Sequence, residues 1–591
     1  MDAAYLVIVA KRDGLLSPGH LNPATDPTPA GLHFTPNAHT VWRSRRNDVV
    51  VAGWRSTSDP RTAGAWHFSA DRAILTTAPV RVRGEPWATD GRWAEQLATR
   101  GRDVADIADE LRGIFTVVSL DGDGLGEVVS DPLALSFTYL GEDTDVVVIG
   151  SRAELVARVL AGSAGRRLPL DTVGVCGLAY SGYRIGNRTG YEGVRTLEAG
   201  DVAQIRGPRS YVASSRPPWM PDTDAAAVVD SEHLEVILSE ITEIASTTLS
   251  LPADRYLADL TGGKDSRLLL AALLHAGIAD QFVFRTDGHD ELADVKIARS
   301  LADTMGLEYE ASLRFPRHST TYLERLKAFV SMSGGVVNCW DTKAPTADQP
   351  RVRLSGLNGE CLRAHSQVTR PMTSDTDLED YLTRVLRFGR LGLVRPEVAM
   401  AYKEAAHALL LADRPTHPLD RLETFQIRTR ARARYGPLDE LDRDHRVAAL
   451  YSLEAIRAAF SLPPEERHRE RVHFELMRRV APDLVNHPFA GPGWSPHLQS
   501  QSRSPEANAI AQAAAPTPGS LMARLRRSAA SDHRGALREV VASRTSPAWD
   551  LLDQDRTIDA VERIDALDPG SRREVFGAIT AVLWLSANET T

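Results

Sequence analysis

The 591-residue sequence is poor in cysteine and in lysine. Its three cysteines, Cys176, Cys339 and Cys361, lie far apart and form no CxxC pair. A zinc ribbon, a cysteine-ligated iron–sulfur cluster and a disulfide framework therefore lack their ligands. Such sparse cysteine points to a reducing, cytoplasmic setting. Lysine occurs only at Lys11, Lys264, Lys296, Lys327, Lys343 and Lys403, so any chemistry that needs an ammonium must draw on these. No run of ~20 apolar residues occurs, which excludes a membrane-spanning helix. The apolar run Tyr5-Leu-Val-Ile-Val9 has no basic residue before it and Lys11 after it, and reads as a buried strand rather than a signal peptide. Hydrophobic residues at 43% and charged residues at 25% exclude a fibrous or wholly disordered chain. Lys+Arg number 69 against 78 Asp+Glu, and a net charge of −9 argues against a protein whose main task is to grip nucleic acid.

At ~150 residues per domain the length implies two to four folded units. Residues 1–207 are rich in short β-branched runs bounded by Gly and Asp, such as Asp48–Trp54, Gly113–Leu120 and Asp145–Gly150. Trp93–Leu111 reads as an amphipathic helix between strands. Residues 208–224 contain Ser214-Ser-Arg-Pro-Pro-Trp-Met-Pro221 and read as a linker. In residues 225–591 a helical stretch, Ala225–Ser250, precedes alternating elements. These are strand Tyr256–Leu260, helix Arg267–Gly277, strand Gln281–Thr286, helix Leu292–Gly306 and strand Arg351–Ser355. That order predicts a parallel sheet with helices on both faces. From about residue 376 the chain is helical and Arg-rich, interrupted by a polar loop at 500–520.

The most informative string is Asp259-Leu-Thr-Gly-Gly-Lys-Asp-Ser-Arg267, between a strand and a helix. Two glycines let backbone N–H groups approach an anion, and the helix that follows points its positive end at the same place. Thr261 and Ser266 add hydroxyl donors and Lys264 a positive charge. Asp265 would repel phosphate by itself and makes sense as a ligand for a bridging Mg²⁺. The spacing is not GxxxxGK[ST], so this is not a Walker A loop.

This loop resembles the Ser/Thr-Gly-Gly-x-Asp-Ser signature of the N-type ATP pyrophosphatases. Further strings resemble the asparagine-synthetase branch of that family: Asp290-Glu-Leu-Ala-Asp-Val-Lys-Ile-Ala298, Ala302-Asp-Thr-Met-Gly306, and Arg353-Leu-Ser-Gly-Leu-Asn-Gly-Glu360. In residues 1–207, Gly113-Ile-Phe-Thr-Val-Val, the Asp131-Pro-Leu turn, Val148–Leu155 and Gly193–Gly200 are similar to the family's glutaminase domain. The resemblance covers roughly residues 1–495. It implies an N-terminal Ntn-hydrolase-like α/β sandwich and a parallel-sheet adenine-nucleotide (PP-loop) domain with helical additions. It implies ATP and Mg²⁺ as cofactors, with Asp265 and Glu360 as metal ligands. Leu260, Thr261, Gly262, Gly263, Lys264, Asp265, Ser266, Phe284, Arg285, Thr286, Ser355 and Gly356 would line the nucleotide.

Departures from the family pattern shape the expected activity. Position 2 is Asp2, where the family's glutaminase carries its nucleophilic cysteine, so glutamine hydrolysis is not expected. The stretch Ala481–Trp494, which resembles the family's segment with a catalytic lysine, holds none. Charge stabilisation would fall to Lys264, Lys343, His487 or an arginine such as Arg428 or Arg430. The expected reaction is ATP-dependent amide formation through an acyl-adenylate, in the manner of β-lactam synthetases or lasso-peptide cyclases. Its substrates would be a small-molecule or peptide carboxylate and amine. A precursor peptide and a partner biosynthetic enzyme are the expected associates, with neither nucleic acid nor membrane involved. An ammonia-dependent synthetase and a nucleotide-binding scaffold without chemistry remain as alternatives.

Overall fold

The computed structural model describes residues 3–11, 16–29, 32, 34–56, 65–87, 104–164, 168–214, 217–221, 229–288, 290–312, 321–339, 351–365, 372–385, 390–412, 417–441, 445–491, 493–499 and 533–588. The first half builds two six-stranded antiparallel sheets. In the first sheet Ala3–Ala10 is central, paired with Val146–Gly150 on one side and Val49–Arg55 on the other. Its alternation sends Leu6 and Ile8 towards helices Pro18–Thr25 and Ala153–Ala164, and Tyr5, Val7 and Val9 into the core shared with the second sheet. Both faces of the strand are buried, which is why its sequence reads as an unbroken apolar run. On the outer side of the second sheet, Ile74, Val117 and Val129 meet Val104 and Ile107. The result is a layered α/β sandwich.

The second half holds a five-stranded parallel sheet in the order Tyr309–Ser312, Val283–Asp287, Arg255–Asp259, Arg351–Ser355, His445–Ala448. Strand order reverses between Arg255–Asp259 and Arg351–Ser355. Open parallel sheets bind ligands at such a switch point, beyond the carboxyl ends of the strands. Helices Ser231–Thr248, Lys264–His275, Leu453–Phe460 and Arg471–Val480 bury Leu and Ile rows against the sheet in one core. The expected α/β class is realised, with antiparallel layers in the first half and a parallel sheet in the second.

One expected segment looks different in the structure. Within the stretch read as a linker, Tyr211–Ala213 adds an edge strand to the second sheet, and Trp219 is completely buried. A large aromatic surrounded by turn formers still pays to bury, whatever the local periodicity. Of the helix expected over Trp93–Leu111, residues 93–103 lie outside the described residues, Val104–Ile107 is α-helical, Ala108–Glu110 is a 3₁₀ turn and Leu111 begins a short strand. The loop at 500–520 lies outside them altogether. Among the described residues, no helix is long and apolar enough to cross a membrane.

The halves meet through buried polar groups. Glu240 of helix Ser231–Thr248 accepts from Arg112 at 3.1 Å and from Ser452 at 2.5 Å, and lies 2.9 Å from Arg83. The Tyr451 hydroxyl donates to Asp131 and accepts from the Leu133 amide at 3.0 Å. Asp131 also accepts from the Leu135 and Ser136 amides at 3.1 and 2.7 Å. Tyr451→Phe removes one donor from this buried carboxyl and leaves the Leu133 amide only its longer bond to Asp131 Oδ1, at 3.3 Å. A loss of roughly 1–3 kcal/mol is expected, read as a lower urea unfolding midpoint.

Candidate functional site

The Thr-Gly-Gly-Lys-Asp-Ser loop leaves the carboxyl end of the central strand and enters helix Lys264–His275 with Gly263 as its N-cap. Much of its hydrogen-bonding capacity is used within the protein. Ser266 Oγ accepts from the Thr261 amide at 3.0 Å, and Thr261 Oγ1 accepts from the Gly263 amide at 3.1 Å. The Gly262 amide donates to Asp294 at 3.0 Å, and its carbonyl accepts from the Ala490 amide at 3.1 Å. Residue 262 must be glycine here, since a Cβ would sit 2.3 Å from that of Ala490. Segment 481–494, expected near the phosphates, thus packs directly on the loop.

Lys264 turns into that segment. Its ammonium donates to Glu470 at 2.5 Å and to the Gly493 carbonyl at 2.9 Å, beside the rings of Phe489 and Trp494. Burial lowers its pKa, and Glu470 partly opposes that. Arg267 is completely buried and donates to the carbonyls of Leu484, His487 and Pro488 at 3.0, 2.7 and 2.6 Å. Burial brings its pKa down to about 9.

Asp265 is held by two donors. Arg363 Nε and Nη2 reach its two carboxylate oxygens at 2.9 and 3.0 Å, and His473 Nε2 lies 2.9 Å from Oδ1. Burial by itself would raise this carboxyl, but Arg363 and His473 outweigh it and hold it well below the usual carboxylate range. Glu360 lies near Arg363 and Tyr435. Among the described residues, no group of three or more His, Cys, Asp or Glu side chains could hold a metal ion. The expectation that Asp265 and Glu360 bind Mg²⁺ therefore does not fit the donor set, because a dication at Asp265 would face a guanidinium and an imidazole N–H.

The other expected residues divide. Ser355 and Gly356 do meet the loop's surroundings: Ser355 Oγ donates to Asp259 at 2.7 Å, and a Cβ at Gly356 would lie 2.9 Å from the Ser266 nitrogen. Arg353 also binds Asp259, at 2.6 Å. Leu260 and Phe284 belong to the hydrophobic core, and Thr286 closes on the Leu260 carbonyl. Arg285 pairs with Asp287 at 3.2 Å. Arg428 lies on a π-helical turn, Ile427–Ala431, and pairs with Glu198 of the first half. That places it in the contact between halves. Lys343 lies outside the described residues. Sequence reasoning missed Arg363, His473, Glu470 and Asp294. Arg363 carried a local signal, three residues after Glu360 on the same short helix, and Asp294 lay within the string Asp290–Ala298.

No family model matches the chain, and no curated protein matches it. Among solved structures it is similar to glutamine phosphoribosylpyrophosphate amidotransferase from B. subtilis complexed with ADP and GMP. That match has 10% identity, covers 54% of this chain and 67% of that one, and has a TM-score of 0.21. It is also similar to a structure described as the allosteric regulatory enzyme of purine biosynthesis, with 11% identity, 65% and 78% coverage, and a TM-score of 0.21. Overlap of that extent carries no argument about chemistry.

His487 gives the site a pH signature. Its pKa is lowered from 6.5 to about 4 by burial and by nearby Arg267. The folded state prefers the neutral ring, so this residue contributes stability above pH 6.5 that is lost as pH falls towards 4. Over that window the urea midpoint should fall more steeply in the wild type than in His487→Gln.

Proposed function

We propose that the chain is an asparagine-synthetase-like, AMP-forming carbon–nitrogen ligase that works without glutamine hydrolysis. One observation carries this reading. A strand–Thr-Gly-Gly-Lys-Asp-Ser–helix unit stands at the switch point of a parallel sheet, with Ser355 and Gly356 of the adjacent strand's loop packed beside it. An ATP bound there would present its α-phosphorus to a substrate carboxylate. A carboxylate oxygen attacks, the bond to the β-phosphate oxygen breaks, and pyrophosphate leaves. An amine then attacks the acyl carbon, loses its proton, and AMP departs. Holding both reactants together is worth up to ~7–11 kcal/mol where the amide closes within one molecule, as in a macrolactam.

The first half, read as a degenerate Ntn-hydrolase-like domain, supplies no nucleophile for glutamine. Position 2 is Asp2, and Cys176 is fully buried in helix Thr172–Ser181, where burial raises its thiol pKa. A second reading, a nucleotide-binding scaffold without catalysis, is favoured by the engagement of Asp265 with Arg363 and His473.

Peptide and small-molecule carboxylates labelled with ¹⁸O test the proposal. Ligation transfers label to AMP and releases pyrophosphate, while glutamine yields no glutamate. ATP binding without pyrophosphate release from any substrate class supports the scaffold. Formation of ADP overturns the ligase, and dependence on free ammonia identifies an asparagine-type synthetase.

A further inference from the structure

A site for a nucleotide's phosphates needs compensating positive charge, and this chain places a guanidinium where a divalent cation is expected. Arg363 closes the short helix Glu360–Arg363 and grips both oxygens of Asp265 at 2.9 and 3.0 Å. The fit is close. A Cβ at Gly359 would stand 2.7 Å from Asp265 Oδ1, so any side chain there would push the loop and the arginine apart. The far end of the guanidinium is positioned as well. Its Nη1 donates to the Ala364 carbonyl at 3.2 Å and lies 3.8 Å from Glu470, whose other oxygen holds Lys264. Nη1 thus stands between the Ala364 carbonyl and the Glu470 carboxylate, while Nη2 faces Asp265.

A second observation comes from the neighbouring residue. Asn358 is completely buried with φ at 68°, and neither atom of its side-chain amide has a hydrogen-bond partner. Buried amides are normally satisfied, so the turn that presses Gly359 onto Asp265 carries an unsatisfied polar group as well as a left-handed residue. Arginine suits a phosphate occupant because its fork matches two oxygens and its charge persists at any working pH.

We propose that Arg363 permanently fills the cation position of this site, so that phosphate charge at the loop is offset by a guanidinium and nucleotide binding needs no divalent metal. The second clause rests on the nucleotide reading given above, whereas the first stands without it.

Mn²⁺ titration of the full-length chain, followed by electron paramagnetic resonance and without nucleotide, tests the first clause. Wild type should bind no Mn²⁺ at concentrations that saturate Arg363→Met. That variant should bind one ion about tenfold or more tightly than wild type, and adding Asp265→Asn should abolish it. A stoichiometric Mn²⁺ site in wild type that Asp265→Asn removes would overturn the proposal, as would a folded Arg363→Met that gains no site. Should Arg363→Met fail to fold, the comparison of wild type with Asp265→Asn decides alone, and silence in both supports the proposal. ATP binding is then measured in EDTA and in Mg²⁺. Equal affinity supports the second clause, and binding only with Mg²⁺ overturns it. Absence of ATP binding in both conditions sinks the nucleotide reading, while the Mn²⁺ result still decides the place of Arg363.

Discussion

The carboxylate of Asp265 is where three separate parts of the second half converge: the glycine-rich loop, the turn after strand Arg351–Ser355, and helix Arg471–Val480. Charges then alternate outward, from Asp265 to Arg363, to Glu470, to Lys264. Removing one member of such a buried set strands its partner and typically costs ~3–5 kcal/mol, far more than a surface pair is worth. The loop is therefore fixed by ion pairs as much as by its glycines. Lys264, the residue best suited by sequence to meet a phosphate, is committed to the protein itself.

The same logic joins the halves. Glu240 draws two arginines of the first half onto helix Ser231–Thr248, and Arg432 donates to the carbonyls of Ala134 and Leu197 from the other side. The contacts of Arg432, Arg428 and Tyr451 gather on residues 131–138 and 194–201, so the turns that resemble a glutaminase domain here serve as a seat for the helical additions. Tyr451 acts as a fastener between halves.

The parallel sheet was legible because its signals are local. Short β-branched runs and helical periodicity alternate in sequence, and the loop sits between them. The inward alternation of Ala3–Ala10 was legible for the same reason. Arg363 and His473, which reach Asp265, and Glu470, which reaches Lys264, were not, since they come from positions about 100 to 200 residues away, and no periodicity encodes a pairing across that distance. The role expected for Arg428 failed to foresee Glu198, which lies in the other half. Residue type alone suggested an anion site, and the tertiary partner decided otherwise.

Helix Pro569–Asn588 lies against helix Thr172–Ser181, so closely that a Cβ on Gly577 would meet the Leu178 carbonyl at 2.0 Å. Trp584 reaches Glu154 and stacks near Arg184. Residues some four hundred positions further along the chain thus seal an apolar surface on helix Thr172–Ser181. During synthesis that surface, including Val175, Leu178 and Ala179, stays wet until the closing helix emerges. Contacts so distant in sequence form slowly, so this seam closes late in folding.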